Sequence, residues 1–472
     1  MIRLNKVGSI QPKASLDIKK SRIGLGFEKL DRDVFDPEKA YPFVAQTGAK
    51  WARLQSGWQR TEQEKGVYNF AWLDSIVDNM IKIGVEPWLC LCYGNALYSP
   101  EAAEHFGAVG CPPIFSEEAK EGWRNYVKAT VEHYKGRIHY YEVWNEPDGT
   151  WCWKHGPNPE ELGAFTIETA KCCKEADPSC EVIGFATCRT ERFNFVEQLA
   201  MTGVCAHLDG ISYHCYKIHD QEFEDTYKFY DDLRQRFNPK LKIFQGESGT
   251  QSRHDGNGAL RKAHWTPEKQ AKFLLRHLLI DIACGAEFTS YFSCMDMIEA
   301  LNGKVGDVNS YLDYGYFGVV GADFDENGRS TGTYSPKPSF KALQNLCSLL
   351  HDDYEQYPFP YESVVEHSMW VWGNDYDIKN ARCYSFRKPN GSQALFYWNS
   401  DSNILTQTYD GAVSLRIPTH NAVDMKLTDL LTGEIYEIPE NMIKDDGPLF
   451  KILRHIPIRD YPLMLTIGNF FE

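Results

Sequence analysis

The chain has 472 residues, of which 43% are hydrophobic, 24% charged and 14% aromatic, and its formal net charge is −15 at pH 7. That balance fits a large soluble core and argues against nucleic acid as a partner; it also disfavours a polyanionic ligand unless a local Arg/Lys cluster overrides the average. No apolar run approaches the ~20 residues that cross a bilayer, so no membrane partner is expected. Residues 1–20 carry Lys6, Lys13, Asp17, Lys19 and Lys20 instead of the apolar stretch of a secretion signal. The 14 cysteines are therefore expected to be cytosolic thiols, and the protein cytoplasmic. No pair of Cys-x-x-Cys motifs is present, and neither a metal nor another cofactor is expected.

In chain order, the first strand is predicted over 23–27 and a helix over 37–48. A strand over 50–55 and a helix over 71–83 follow, the helix stopped at Gly84. Next come a strand over 86–91, a long loop rich in Gly, Pro and aromatics over 93–115, and a periodic helix over 117–134. The fourth strand, 138–144, leads to a helix over 158–176 with Pro159 in its first turn, where a missing N–H does no harm. Strands over 181–186, 208–214, 241–245 and 287–292 continue the rhythm, with helices over 193–201, 223–237 and 266–284. A Gly- and Tyr-rich loop over 295–334 precedes a last helix over 337–350. Eight strand–helix units predict a (β/α)8 TIM barrel over 21–350. A doubly wound open sheet lacks support, because no Gly-x-Gly-x-x-Gly opens any of the helices.

Beyond about residue 350 the texture changes to short alternating segments: 368–372, 381–386, 393–398, 413–417, 422–427, 434–438, 450–453 and 462–467. Turn signals such as Pro389-Asn390-Gly391 separate them. This predicts an antiparallel β-sandwich domain over 351–472, to which the N-terminal segment 1–20 is expected to add a strand.

Two strand ends carry chemistry. Tyr141-Glu142-Val143-Trp144-Asn145-Glu146-Pro147 runs an apolar strand into a glutamate and a proline that cannot continue a ladder. Leu241-Lys242-Ile243-Phe244-Gln245-Gly246-Glu247 does the same on the seventh strand. In a barrel these ends share one mouth, and two opposed carboxyls are what glycoside hydrolysis requires. Glu146 is read as the acid/base, with Asn145 beside it to hold a sugar hydroxyl, and Glu247 as the nucleophile. His214 and Tyr216 alternate to one face of the sixth strand, where either could donate to Glu247 and keep it ionised. Arg53, ending the second strand, adds positive charge; burial is expected to keep Glu146 protonated. Among the aromatics of the long loops, some of Tyr93, Trp151, Trp153 and Tyr314 are expected to line the mouth.

Trp-Asn-Glu-Pro closing strand four, a glutamate closing strand seven and His-x-Tyr closing strand six resemble clan A retaining glycoside hydrolases. The whole chain is similar to family 39, β-xylosidase-like enzymes with a barrel and a C-terminal β-sandwich. The segments 24–31 and 66–74 and the closing Arg459-Asp460-Tyr461-Pro462-Leu463 are similar too. The resemblance implies a retaining β-glycosidase acting on a carbohydrate substrate, with Glu146 as acid/base, Glu247 as nucleophile, and Asn145, His214, Tyr216 and Arg53 as their supports. Strand eight departs from the clan pattern: it ends in Phe292-Ser293-Cys294, without the tryptophan that often floors the donor site, and Tyr291 or Phe292 is expected in its place. Exo action on short glycosides is the preferred reading. An endo-acting relative and a non-catalytic carbohydrate-binding protein on the same fold are the alternatives. A metal-dependent barrel hydrolase lacks its His-x-His or clustered carboxylates. Sugar identity (xylose, galactose, glucose or arabinopyranose) and homo-oligomerisation stay open.

Overall fold

A computed structural model describes residues 4–189, 191–366, 381–400 and 403–471. A first strand, β1 (Asn5–Ser9), precedes eight parallel strands that close into a barrel: β2 (Ile23–Gly26), β3 (Trp51–Gln55), β4 (Glu86–Leu91), β5 (Tyr140–Val143), β6 (Glu181–Thr187), β7 (Gly210–His214), β8 (Lys242–Ser248) and β9 (Thr289–Tyr291). β9 pairs with β2, which completes the ring. Each strand stops where its sequence stops favouring a ladder. β5, for instance, ends at Val143, before the left-handed backbone of Trp144 (φ 66°).

Several helices begin on capping residues. Ser116 accepts from the Ala119 N–H, Asn158 from Glu160 and Glu161, and Thr266 from Lys269, each satisfying an amide the first turn leaves open. The helix Pro267–Cys284 is buried at every position from Gln270 to Ala283. An apolar stripe facing only the barrel would leave its other side wet. Here the second side is covered by the C-terminal region.

That region consists of two antiparallel sheets. The larger runs, in spatial order, through β1, Glu434–Glu437, Lys426–Asp429, Leu463–Ile467, Gln393–Trp398, Arg382–Arg387 and Glu355–Gln356. The smaller contains Glu362–Val365, Gly411–Pro418, Phe450–Ile458 and Ile443–Asp446. β1 pairs with Glu434–Glu437, so the N-terminus is tied to the far end of the chain.

Three expectations need adjustment. The segment 422–427 forms its strand later, at Lys426–Asp429, because a 3₁₀ turn at Thr419–Asn421 uses the residues before it. The long loop after β9 is built of two small hairpins, Met297–Ile298 with Tyr314–Gly315 and Val320–Phe324 with Ser330–Pro336. The strand predicted over 368–372 lies outside the described residues.

Candidate active site

The barrel interior below the mouth is polar, and Arg53 organises it. This side chain, fully buried, projects from β3. Its Nε donates to Glu142 Oε2 at 2.7 Å, its Nη2 to Asn145 Oδ1 at 2.8 Å, and its Nη1 reaches Glu247 Oε2 at 3.1 Å and Glu28 Oε1 at 3.3 Å. A planar guanidinium can serve several acceptors at once in fixed directions, which a lysine cannot. Burial alone would weaken its charge, but Glu142, Glu247 and Glu28 outweigh that and hold it firmly protonated. One cation facing three buried carboxyls leaves a deficit. Glu28 absorbs it: burial, with Glu247 adding repulsion, raises its pKa to about 7 against the pull of Arg53.

Glu146 and Glu247 meet above this layer. With His214 they form a group in which one ligating atom from each lies within 4.8 Å of the others. Glu247 accepts from the Tyr216 hydroxyl on Oε1 and from Arg53 on Oε2. Glu146 accepts from the Trp151 indole N–H on Oε2, and its Oε1 lies 2.9 Å from His214 Nδ1. His214 Nδ1 is farther from Glu247, at 3.7 Å. The imidazole therefore belongs mainly to Glu146, whereas the sequence reading offered either it or Tyr216 to Glu247; of the two, Tyr216 makes the direct bond there.

The electrostatics also differ from expectation. Burial pushes the Glu146 carboxyl up, but the hydrogen bond and charge of His214, with Trp151 and Arg53, outweigh it and leave Glu146 below the usual carboxylate value of 4.5. For His214 burial works downward, and the charge of Glu247 and the bond to Glu146 carry it above 6.5. Two partners thus share a proton, and they titrate as a pair. Two carboxylates and an imidazole at this spacing are also a donor set that a divalent ion could use.

A cavity of about 490 Å³ opens over the pair. Glu28, Lys29, Gln55, Asn145, Tyr216 and Phe292 are among its lining residues, as are Trp151, Arg189, Arg261 and Glu299. Of the loop aromatics, Trp151 lies on the wall. Tyr93 is buried behind it, where its hydroxyl accepts from Asn145 Nδ2 at 2.9 Å. Trp153 is fully buried, with its ring 5.8 Å from that of Trp144. Tyr314 pairs with Ile298 and packs on Phe324 outside the cavity. At the end of β9, Phe292 lies on the wall and Tyr291 does not.

Sequence reasoning missed the far wall. Lys29 Nζ lies 3.3 Å from Glu299 Oε2, 3.2 Å from the Ile298 carbonyl and 4.8 Å from the centre of the Phe292 ring. Burial raises Glu299 to about 7. Glu28 Oε2 and Glu299 Oε1 are buried without a partner among the described residues. Buried carboxyl oxygens on a cavity wall are suited to sugar hydroxyls. Glu28-Lys29 directly follows the first strand, so the strand-end rule that found Glu146 would have found it. Glu299 sits mid-loop and gave no signal.

Residues 51–245 match the model of the glycosyl hydrolases family 39. A β-xylosidase of Geobacillus stearothermophilus is 24% identical over 309 residues, 59% of this chain and 56% of that protein; the chain thus aligns with about half the length of this curated relative. A family 39 glycoside hydrolase from the gut symbiont Bacteroides cellulosilyticus WH2 shares the fold over 95% of this chain and 81% of its own, with 16% identity and a TM-score of 0.65. A family 39 β-xylosidase from Caulobacter crescentus does so over 98% of both chains, with 15% identity and a TM-score of 0.57. Barrel and appended sheets are the fold this chain shares with those solved structures, and the matched segment contains Arg53, Glu146 and His214. The similarity to family 39 is thus carried by residues 51–245 in sequence and by the fold over nearly the whole chain.

Proposed function

We propose that this protein is a retaining β-glycosidase that releases terminal sugars from short glycosides. The observation that carries the reading is the approach of Glu146 to Glu247, with carboxyl oxygens within 4.8 Å. Retaining enzymes keep their carboxyls about 5–5.5 Å apart, whereas inverting ones leave about 6.5–9.5 Å for a water. Glu247, held by Arg53 and Tyr216, attacks the anomeric carbon and forms a glycosyl ester. Glu146, taking over the proton it shares with His214, passes it to the leaving oxygen, then takes one from water in the second step and so restores the proton of the pair. Arg53 and Tyr216 also stabilise Glu247 as it departs.

Exo action is supported by the far wall, where the Lys29–Glu299 ion pair and the hairpin behind it bound the donor end. An endo enzyme needs an open groove there.

The test separates the two glutamates. Glu247→Gln should lose roughly 10⁴-fold or more on every glycoside, about 5 kcal/mol of transition-state stabilisation. Glu146→Gln should fail on poor leaving groups yet glycosylate rapidly from a dinitrophenyl sugar and then stall. Azide should restart it and release a β-glycosyl azide. A β-azide from Glu247→Gln, with none from Glu146→Gln, would reverse the assignment; a wild-type enzyme silenced by chelation would point to a metal at the Glu146–His214–Glu247 group.

A further inference from the structure

The charge around the cavity is divided. On the donor side, Glu28, Glu299 and Asp313 line the wall and Lys29 is already paired with Glu299. On the leaving-group side, the wall beside the acid/base is Trp151, which donates to Glu146, followed by Cys188 and Arg189. The Arg189 guanidinium carbon stands 5.9 Å from the centre of the Trp151 ring. A second arginine, Arg261, lines the same cavity from the loop that follows β8. That loop is basic for so acidic a protein: Arg253, His254, Arg261, Lys262 and His264 against Asp255 alone between Gln251 and Trp265.

The two rim arginines are differently engaged. Arg189 is about one-third exposed and its Nε donates to Glu191. Arg261 donates weakly to the Gly258 carbonyl at 3.4 Å, and no carboxylate lies within ion-pair distance of it among the described residues. A cation on a cavity rim with its fork turned to no carboxylate is a site for an anionic ligand group. In a molecule with a net charge of −15, such a local reversal of sign selects partners by steering and by pairing.

Resting on the reading of the site given above, we propose that the leaving-group side of this cavity recognises an aglycone bearing a carboxylate, with Arg189 and Arg261 as specificity-determining residues, while the donor sugar is neutral. Trp151 supplies an apolar face for the first acceptor ring, and the arginines pair with an acid group displayed at its edge. At the donor end the lining cation, Lys29, is already engaged by Glu299, so among the described residues nothing there matches the arginines as a partner for a uronic acid.

The experiment uses the full chain and two aryl β-glycosides of whichever neutral sugar it cleaves best. Both carry the same nitrophenol, one with a ring carboxylate and one with the carboxamide at that position. Wild type should prefer the carboxylate in kcat/KM by about five- to tenfold at low salt, falling toward parity as salt screens the pair. Arg189→Gln and Arg261→Gln should each reduce that ratio, and the double variant should bring it to about one; Lys at either position should restore part of it. A structural role would instead lower both substrates equally. A ratio near one in wild type, or a ratio unmoved in the double variant, overturns the inference and leaves the glycosidase reading standing. Faster cleavage of a uronide donor, lost in the arginine variants, would place the anion at the wrong end and overturn it too. If neither glycoside is cleaved with any donor sugar, the reading of the site falls, and this inference with it.

Discussion

His214 sets the proton economy of the site. Between the lowered Glu146 and the raised His214, the pair holds one proton, which Glu146 can deliver while His214 is neutral. The signs follow for stability. Glu146, depressed in the folded state, contributes stability that is present above 4.5 and lost as pH falls through its folded value. His214, raised, contributes stability that is full below 6.5 and lost as pH rises through its folded value. The pair therefore supports the fold fully between 4.5 and 6.5. For activity, the alkaline limb of kcat/KM should report loss of the shared proton above 6.5. His214→Phe should move that limb to lower pH and cost about 10²-fold or more near neutrality, the usual scale of a proton-transfer contribution. A pH profile that keeps its alkaline limb in the variant would show that another group holds the proton. The two glutamates were legible in sequence because each ends an apolar strand. Tyr216 and Arg53 beside Glu247 were legible as well, but the preference of His214 for Glu146 was not, because strand alternation fixes a face and not the side-chain distances of 2.9 and 3.7 Å that decide it.

At the scale of elements, the strand–helix rhythm was legible throughout the barrel, because buried strands read as short apolar runs and several helices have a capped start. The hairpins after β9 were hidden, since their Gly- and Tyr-rich sequence has no alternation long enough to mark a strand. What positions the site is close approach between loops. Gly249 follows β8 two residues after Glu247, and a Cβ there would stand 2.0 Å from the Phe292 carbonyl oxygen. Trp144 and Glu146, with φ of 66° and 46°, hold left-handed backbone at the end of β5. Trp144 Nε1 anchors that turn by donating to the Cys152 carbonyl at 2.7 Å. Gly249→Ala must push the β8 and β9 loops apart. It should cost about 1–3 kcal/mol of stability and, by moving Glu247 against a fixed Glu146, reduce kcat far more than it raises KM. Denaturant unfolding and steady-state kinetics on one preparation check this; a variant with wild-type kcat would mean that the strands yield without carrying Glu247 with them.

Across the whole molecule, the barrel and the C-terminal sheets are joined by buried polar contacts as well as apolar ones. Arg276, in the buried stretch of the helix Pro267–Cys284, grips Asp220 with Nη2 at 2.7 Å and Nε at 2.9 Å, and donates to the Ser400 carbonyl at 2.9 Å. Asp220 also accepts from Trp398 Nε1 at 2.7 Å. Lys272, one turn earlier, reaches Asp460 and the carbonyls of Leu405 and Gln407. The change of texture near residue 350 was legible as a change of fold. This joint was not, because its charged residues read as ordinary surface positions on amphipathic helices until the second layer covers them. Charges buried in such a joint are costly to strand. Asp220→Asn keeps the shape but removes the carboxylate charge that Arg276 grips through two nitrogens, and should destabilise the protein by about 3–5 kcal/mol. Since both layers share the contact, calorimetry should show one transition, shifted down and still single, with loss of near-ultraviolet signal and of activity at the same temperature. An early separate transition in the variant would show that the C-terminal sheets unfold on their own and that the joint only docks two independent bodies. An unchanged transition would show that water or a neighbouring acid compensates Arg276, and that the ion pair has no part in holding the layers together.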